Sequence, residues 1–185
     1  LTVSMTMESS ARPLWSVAVT VYDRVDKLRR ALQSILMQPQ ASEPMQMEIR
    51  VFCDSPDTAI QAAVQTEVQD LGDGRIQFEP ASTQRGHPHI FNHCVHNSRG
   101  HWVHILHDDD WLEPGFYNTL EQTLKAHPDA GAAFTQQRIV QQGPNQPVLW
   151  DSWVERETPG IINNWLTRIA QECRLQFSAM VVRRE

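Results

Sequence analysis

The chain alternates apolar, β-branched runs with segments of helical period. That alternation restricts it to a sheet built from crossover units. Trp15-Ser16-Val17-Ala18-Val19-Thr20-Val21 shows no alternating polar face, the pattern of a strand covered on both sides. Leu28, Ala31, Leu32, Ile35 and Leu36 then recur at helical spacing, and Pro39 ends that helix. Met47 to Cys53 reads as the second strand. Pro56 opens a helix at its first position, and the helix continues from Ala59 to Leu71 before Gly72-Asp73-Gly74 breaks it. Arg75 to Glu79 reads as a short third strand, residues 80–88 as a loop, and Pro88 to Asn97 as a helix closed by Gly100. His101 to Leu106 is the fourth strand, followed by a helix from about Pro114 to His127. Beyond it we expect a strand at Gly131 to Thr135 and a hairpin pairing Arg138–Gln141 with Val148–Trp150 across Gly143-Pro144-Asn145. An amphipathic helix from Ile161 to Cys173 and a last strand from Gln176 to Val182 complete the pattern. The fold class is therefore α/β: three layers, α/β/α, Rossmann-like, with a mostly parallel central sheet.

With 185 residues the chain suits one well-buried domain. Residues 1–13 read as a disordered leader and 14–185 as the domain. A net charge of −6 does not advertise a nucleic-acid partner. Cys53, Cys94 and Cys173 form no C-x-x-C pair, which argues against a disulfide framework and suits a reducing, cytoplasmic location, the cytoplasmic face of a membrane included. No apolar run approaches the roughly 20 residues that span a bilayer. The chain starts without Met and stops abruptly at Arg183-Arg184-Glu185, as a fragment truncated at its C-terminus would. Neither GxGxxG after the first strand nor GxxxxGK[ST] anywhere is present, so dinucleotide and P-loop readings lack their signatures. Homo-oligomerisation stays open.

The fourth strand runs into His107-Asp108-Asp109-Asp110-Trp111-Leu112-Glu113-Pro114. Three consecutive carboxylates repel one another, and a hard divalent ion such as Mg²⁺ or Mn²⁺, shared with substrate phosphates, would neutralise them. Open α/β sheets bind ligands at this carboxyl edge. The bland alternative is an acidic turn capping the helix near Pro114. The same edge carries Thr20-Val21-Tyr22-Asp23-Arg24 after strand one and Cys53-Asp54-Ser55-Pro56-Asp57 after strand two. Together these tips can hold a nucleotide, with the base against Tyr22 and hydrogen-bonded to Asp54, and the diphosphate reaching the acidic triplet through a metal. The alternative makes Asp23 and Asp54 helix caps and Tyr22 core. His89, His93 and His96 stand at i, i+4 and i+7, so one helical face would present three imidazoles, a set that Zn²⁺ binds, although no HExxH is present. His104 alternates with apolar residues and is expected to be packed or hydrogen-bonded. His107 is a candidate ligand or a donor to phosphate. Trp150, Trp153 and Trp165 suit either sugar-ring packing or a core.

Taken in order, these segments resemble glycosyltransferase family 2 with the GT-A fold. Val17 to Arg24 and then Leu28, Ala31, Leu32, Ser34, Ile35, Leu36 and Gln38 resemble its V-I-P-T-Y-N-R opening and following L-x-x-A-L-x-S-l-l-x-Q helix. Glu48 to Ser55 resembles V-V-D-D-G-S. Gly86 to Asn92, and Ser98 to Val103, resemble N-x-G-x-x-x-A-R-N and A-x-G-x-Y-I. Leu106 to Pro114 resembles L-D-x-D-D-W-x-x-P. The likeness covers about residues 15–135, with Cys53, Phe91 and His107 standing where the family has Asp, Arg and Asp. It implies a donor-binding part at about 14–135 and the start of an acceptor part at 136–185. It implies that Thr20, Tyr22 and Asp54 contact base and ribose, that Asp23, Arg24, Gly86 and Asn92 belong to the same nucleotide-binding set, and that Asp108 and Asp109 lie by the ribose and phosphates. Asp109 and Asp110, with Asp108, would ligate Mn²⁺ or Mg²⁺. The implied reaction is metal-assisted, inverting transfer from a nucleoside-diphosphate sugar, UDP-sugar favoured, to a hydroxyl of a saccharide, lipid-linked or protein acceptor. The catalytic base stays unknown and is expected past Glu185; Asp151, Glu155 and Glu157 are candidates by position alone. The alternatives are a nucleotide- or sugar-binding module without catalysis and a zinc-binding protein built on the histidine face.

Overall fold

A computed structural model describes residues 12–141, 145–152, 155–172 and 175–184. Four strands, β1 (Trp15–Val21), β2 (Met47–Cys53), β3 (Ile76–Pro80) and β4 (Trp102–His107), pair in parallel, with Val19 opposite Val51 on one side and Leu106 on the other. The crossovers are α1 (Val25–Leu36), α2 (Thr58–Gly72) and α3 (His89–Asn97). After β4 come α4 (Phe116–Ala126), β5 (Ala132–Phe134), the hairpin β6 (Arg138–Val140) and β7 (Val148–Asp151), α5 (Trp165–Gln171), a 3-10 turn at Phe177–Ala179 and β8 (Met180–Arg183). The sheet order is β3-β2-β1-β4-β8-β5, and β8 is antiparallel to both its neighbours. The α/β, mostly parallel expectation is met.

Strand alternation divides the core into two layers. Val17, Val19, Val21, Ile49, Val51, Trp102 and Leu106 pack against Leu28, Leu32 and Ile35 of α1, Val64 and Val68 of α2, and Tyr117 and Leu120 of α4. On the other face Ala18, Phe52, Val103 and Ile105 meet Ile90 and Cys94 of α3. Within the sheet, the entry to β4 lies so close to β1 that a Cβ on Gly100 would lie 2.6 Å from the Ser16 amide nitrogen. There the Gly100 amide donates to Ser16 Oγ at 2.6 Å, and Ser16 in turn donates to buried Glu48.

The departures from expectation lie mainly beyond β5. The helix expected over Ile161–Cys173 is only Trp165–Gln171, buries no side chain, and leaves Leu166 79% exposed, so it is not a core-facing amphipathic helix. Cys173, Trp153 and the turn residues Gly143 and Pro144 lie outside the described residues. The expected last strand begins as a 3-10 turn, Phe177–Ala179, before β8. Of the expected leader, residues 1–11 lie outside the described set. Arg12 is anchored, donating to the Arg99 and Gly100 carbonyls at 2.8 and 2.9 Å, and Pro13 is buried. Among the described residues no helix is long and apolar enough to cross a membrane.

Candidate functional site

The tips of β1, β2 and β4 are stitched together past the last ladder pairs. The Asp54 amide donates to the Val21 carbonyl at 2.8 Å and the Asp108 amide to the Thr20 carbonyl at 3.2 Å. These bonds hold the three polar strand ends of the sequence pattern on one edge. Tyr22 projects from it, 44% exposed, and is not core. The bland alternatives fail on the helix starts. α1 has no side-chain cap, so Asp23 caps nothing; α2 is capped by Asp57, whose Oδ1 accepts from the Ala59 amide at 2.8 Å. α4 is led by Gly115 at φ 84° with no side-chain cap, so the acidic triplet does not cap it either.

β4 extends one residue past the expected Leu106, to His107, and this decides which carboxylate points where. Asp108 continues the parity of His104 and Leu106 into the α1–α4 face. It is 2% exposed and pairs with Arg24, whose Nη2 lies 2.6 Å from its Oδ1. Arg24 Nη1 reaches Asp109 Oδ2 at 2.5 Å. The chain then turns, closed by the Asp110 amide on the His107 carbonyl at 3.2 Å, which brings position 110 back beside 107. His107, Asp109 and Asp110 can therefore offer ligand atoms all within 4.8 Å of one another, and among the described residues no other His, Cys, Asp and Glu group does so. This corrects two expectations. Asp108, expected with the other two, is not among the grouped side chains: it is 2% exposed, and its Oδ1 faces Arg24. The His89, His93 and His96 face does not converge: His93 Nε2 binds Glu79, His96 Nδ1 binds the Asn92 carbonyl at 2.6 Å, and His89 is exposed.

The electrostatics follow from burial. Asp108 is pushed up to about 6 by burial, with Asp109 adding to the rise and Arg24 opposing it. Burial also lowers His107, so its ring is neutral at pH 7 and its nitrogen lone pair is available. His107 Nε2 is buried with no hydrogen-bond partner. An imidazole that can offer a ring nitrogen within 4.8 Å of two half-exposed carboxylates fits a divalent cation that accepts nitrogen and oxygen ligands, Mn²⁺ more readily than Mg²⁺.

Asp54 is used differently from the sequence expectation. It is buried, and its two oxygens accept from the Arg85 and Gly86 amides, each at 2.8 Å. It thus ties the loop after β3 to the tip of β2, with Gly86 at φ 68°, a backbone region that favours glycine. Asn92 is exposed on α3. Beside this loop His87, Phe91, His107 and Phe177 form an aromatic wall: Phe91 lies 4.9 Å from His87, 4.7 Å from Phe177, and 5.6 Å from His107 at an interplanar angle of 13°.

On the other side of the acidic turn lies an open cleft of about 810 Å³. α1 contributes Asp26, Lys27 and Arg30, the acidic turn Asp109 to Glu113, and β6 with its flanking residues Gln136 to Gln141; Ser178 closes it. The Arg30 guanidinium lies 3.2 Å above the Trp111 ring. Thr20, Tyr22 and Asp54 are not in this lining, so Asp109 and Asp110 stand between the strand-tip surface and the cleft. Asp151 and Glu155 are paired with Arg138 and Arg168, and neither they nor Glu157 line the cleft. Trp165 stacks on Phe134 at 4.8 Å, and Trp150 is 58% exposed. The sequence reading missed the pairing of Arg24 with Asp108 and the part played by Ser178; basic Arg24 beside one strand tip, opposite an acidic run at the next, was the available signal for the first.

The comparisons agree with the fold that carries these residues. A relative described as Uncharacterized protein MT1568, from Mycobacterium tuberculosis (strain CDC 1551 / Oshkosh), is 31% identical over 137 residues, 74% of this chain and 40% of that protein. The crystal structure of S. aureus TarS 1-349 has a TM-score of 0.63 at 19% identity, covering 91% of this chain and 46% of that one. The mannosyltransferase PcManGT from Pyrobaculum calidifontis, in complex with GDP-Man and Mn²⁺, has a TM-score of 0.54 at 22% identity, covering 66% of this chain and 35% of that one. The chain spans less than half the length of these proteins. The family described as Glycosyl transferase family 2 matches residues 16–182, nearly the whole of the parallel sheet and the acidic turn, and the chain belongs to that family.

Proposed function

We propose that this chain carries the donor-binding part of a metal-assisted glycosyltransferase, with a nucleoside-diphosphate sugar as donor and UDP-sugar favoured. The observation that carries the reading is the grouping of His107, Asp109 and Asp110 between the strand tips and the cleft. Tyr22 and Thr20 would face the base and ribose, and Asp54 would act through the loop it holds at Arg85 and Gly86. Arg24 lies where it can neutralise either the acidic turn or a phosphate. A bound Mn²⁺ or Mg²⁺ would supply Lewis-acid stabilisation of charge on the departing diphosphate. The cleft, bounded by α1 and the β6–β7 hairpin, would receive the acceptor. TarS has been crystallised with UDP-GlcNAc and PcManGT with GDP-Man and Mn²⁺, which supports a nucleotide-sugar donor here. Inverting transfer needs a carboxylate to deprotonate the acceptor hydroxyl; Asp151 and Glu155, already paired, are not assigned that role.

A binding module without turnover is the second reading, favoured by Arg24 already occupying Asp109. Calorimetry with UDP, with and without Mn²⁺, tests the site. Asp109→Asn should abolish the metal-dependent part of UDP affinity. Unchanged affinity and unchanged metal dependence in that variant would overturn the site assignment. Sugar transfer from UDP-sugars, assayed on the same protein, separates the enzyme from the module.

A further inference from the structure

On the side away from β1, β4 loses its strand partner just before the site begins. β8 pairs with Trp102, Val103 and His104 only, and beyond His104 the chain on that side is the Phe177–Ala179 turn. An amide left without a ladder at a half-buried strand tip is costly unless something else accepts its proton. Ser178 supplies the acceptor: the His107 amide donates to its Oγ at 3.2 Å. The Ser178 carbonyl accepts from His104 Nε2 at 3.0 Å. One residue is thus pinned at two points of β4, and the second point is the first member of the cation group.

His104 is fully buried, and its hydrogen bonds admit a single tautomer. A carbonyl can only accept, so Nε2 carries the proton. Burial lowers the ring's pKa to about 4, so the ring is neutral and Nδ1 holds a lone pair. The Tyr117 hydroxyl, 2.7 Å away, donates to it. A stack on Phe116 at 5.0 Å fixes the ring plane. The turn so held sends its two side chains to different surfaces. Phe177 joins the aromatic wall at Phe91, and Ser178 enters the cleft lining with Asp109 and Asp110. Because Ser178 Oγ accepts from His107, its own proton remains to be donated.

We propose that His104 is a positioning residue: by clamping Ser178 to β4 it sets the His107 backbone and presents the Ser178 hydroxyl beside Asp109 and Asp110. This rests on the reading of His107, Asp109 and Asp110 as a cation group. Mn²⁺ alone is the probe, with free Mn²⁺ counted by electron paramagnetic resonance in the full chain. His104→Leu removes both hydrogen bonds; His104→Gln restores an N–H near the Nε2 position. Ser178→Ala deletes the acceptor for His107 and leaves the buried bond to His104. Mn²⁺ affinity should fall roughly 10-fold in His104→Leu and in Ser178→Ala, recover most of the way in His104→Gln, and vanish in Asp109→Asn. Parent-like affinity in both His104→Leu and Ser178→Ala, with Asp109→Asn defective, overturns the positioning role and leaves the cation group standing. Parent-like affinity in Asp109→Asn overturns the cation group and this inference with it. If His104→Leu fails to fold, Ser178→Ala decides alone: a loss supports the role and parent-like binding ends it.

Discussion

Two buried groups near the tip of β4 titrate in the same interval with opposite effect on stability. His104 lies at about 4, below the ordinary histidine value of 6.5, because burial disfavours the charged ring. Between those values the unfolded chain holds a proton that the native chain does not. The stability concerned is fully present above 6.5 and is lost as the pH falls to 4, a difference of about 3 kcal/mol. Asp108 lies at about 6, above the ordinary 3.8, again through burial first. Here the native chain holds the extra proton, so stability is present below 3.8 and is lost as the pH rises to 6, also by about 3 kcal/mol. The two slopes, each about 1.4 kcal/mol per pH unit, oppose each other from about pH 4 to about pH 6. Replacing either group uncovers the other. In urea melts with EDTA present, the stability of Asp108→Asn relative to the parent should rise by about 2 kcal/mol between about pH 4.5 and about pH 6. That of His104→Gln relative to the parent should fall by about as much. Carboxylates common to all three proteins, such as Glu48, held low by the Ser16 and Arg99 hydrogen bonds against its burial, cancel in the difference. Differences that stay flat, or that run in the same direction in both variants, would refute the assigned protonation states and the His104 tautomer with them.

Arg24→Met should have opposite effects on stability and on metal binding. Asp108 is left buried without its partner, costing about 1–2 kcal/mol in a urea melt, less than a fully buried pair because Arg24 is half exposed. Mn²⁺ affinity should rise roughly 5-fold, since a unit positive charge leaves the cation group. Gly100→Ala should lower stability by about 1–3 kcal/mol, because a Cβ 2.6 Å from the Ser16 amide forces β1 and the β4 entry apart; a thermal melt reads it. Asp54→Asn should speed hydrogen exchange at the Arg85 and Gly86 amides without moving the rest of the sheet, because one oxygen that accepts from them becomes a donor.

The parallel half of the fold was legible because its signals are local. β1 is a β-branched, largely apolar run, β2 carries Met47, Ile49, Val51, Phe52 and Cys53 around Glu48 and Arg50, and α1 shows a clear apolar face over Leu28, Ala31, Leu32 and Ile35. The region after β5 was legible only in outline. Ile161 to Gln171 carries apolar residues at helical spacing, yet apart from Trp165, which stacks on Phe134, they show no packing partner among the described residues and none is buried, so spacing promised a burial that this helix does not show. At the site, three carboxylates after a strand were plain in the sequence, and so was their edge. Which of them turns inward was not, because it depends on the last residue of β4. Moving that end by one residue, from Leu106 to His107, keeps Asp108 on the inward parity and brings His107 into the ligand group. The Arg24 pairing joins residues 84 and 85 positions apart, and the Ser178 clamp joins residues 71 and 74 apart; no spacing rule reaches across such separations.

Arg24 changes what the acidic turn requires. Three adjacent carboxylates suggested that only a bound cation makes the turn tolerable, but a guanidinium from α1's approach already bridges two of them. The buried atoms left without a partner there are His107 Nε2 and Asp108 Oδ2, while Asp110 belongs to the grouped set. On the proposed site, a divalent ion would therefore not rescue an unstable loop; it would compete with Arg24 for Asp109 alone, with Asp108 left paired. A pyrophosphate arriving with the ion brings new negative oxygens to the same guanidinium, whose planar fork can leave a carboxylate for a phosphate without crossing an apolar barrier. On that logic the cation and the nucleotide would favour each other's binding through one side chain. Mn²⁺ should raise UDP affinity less in Arg24→Met than in the parent, even though Mn²⁺ alone binds the variant more tightly. Equal enhancement in both proteins would show that Arg24 serves Asp108 and nothing else.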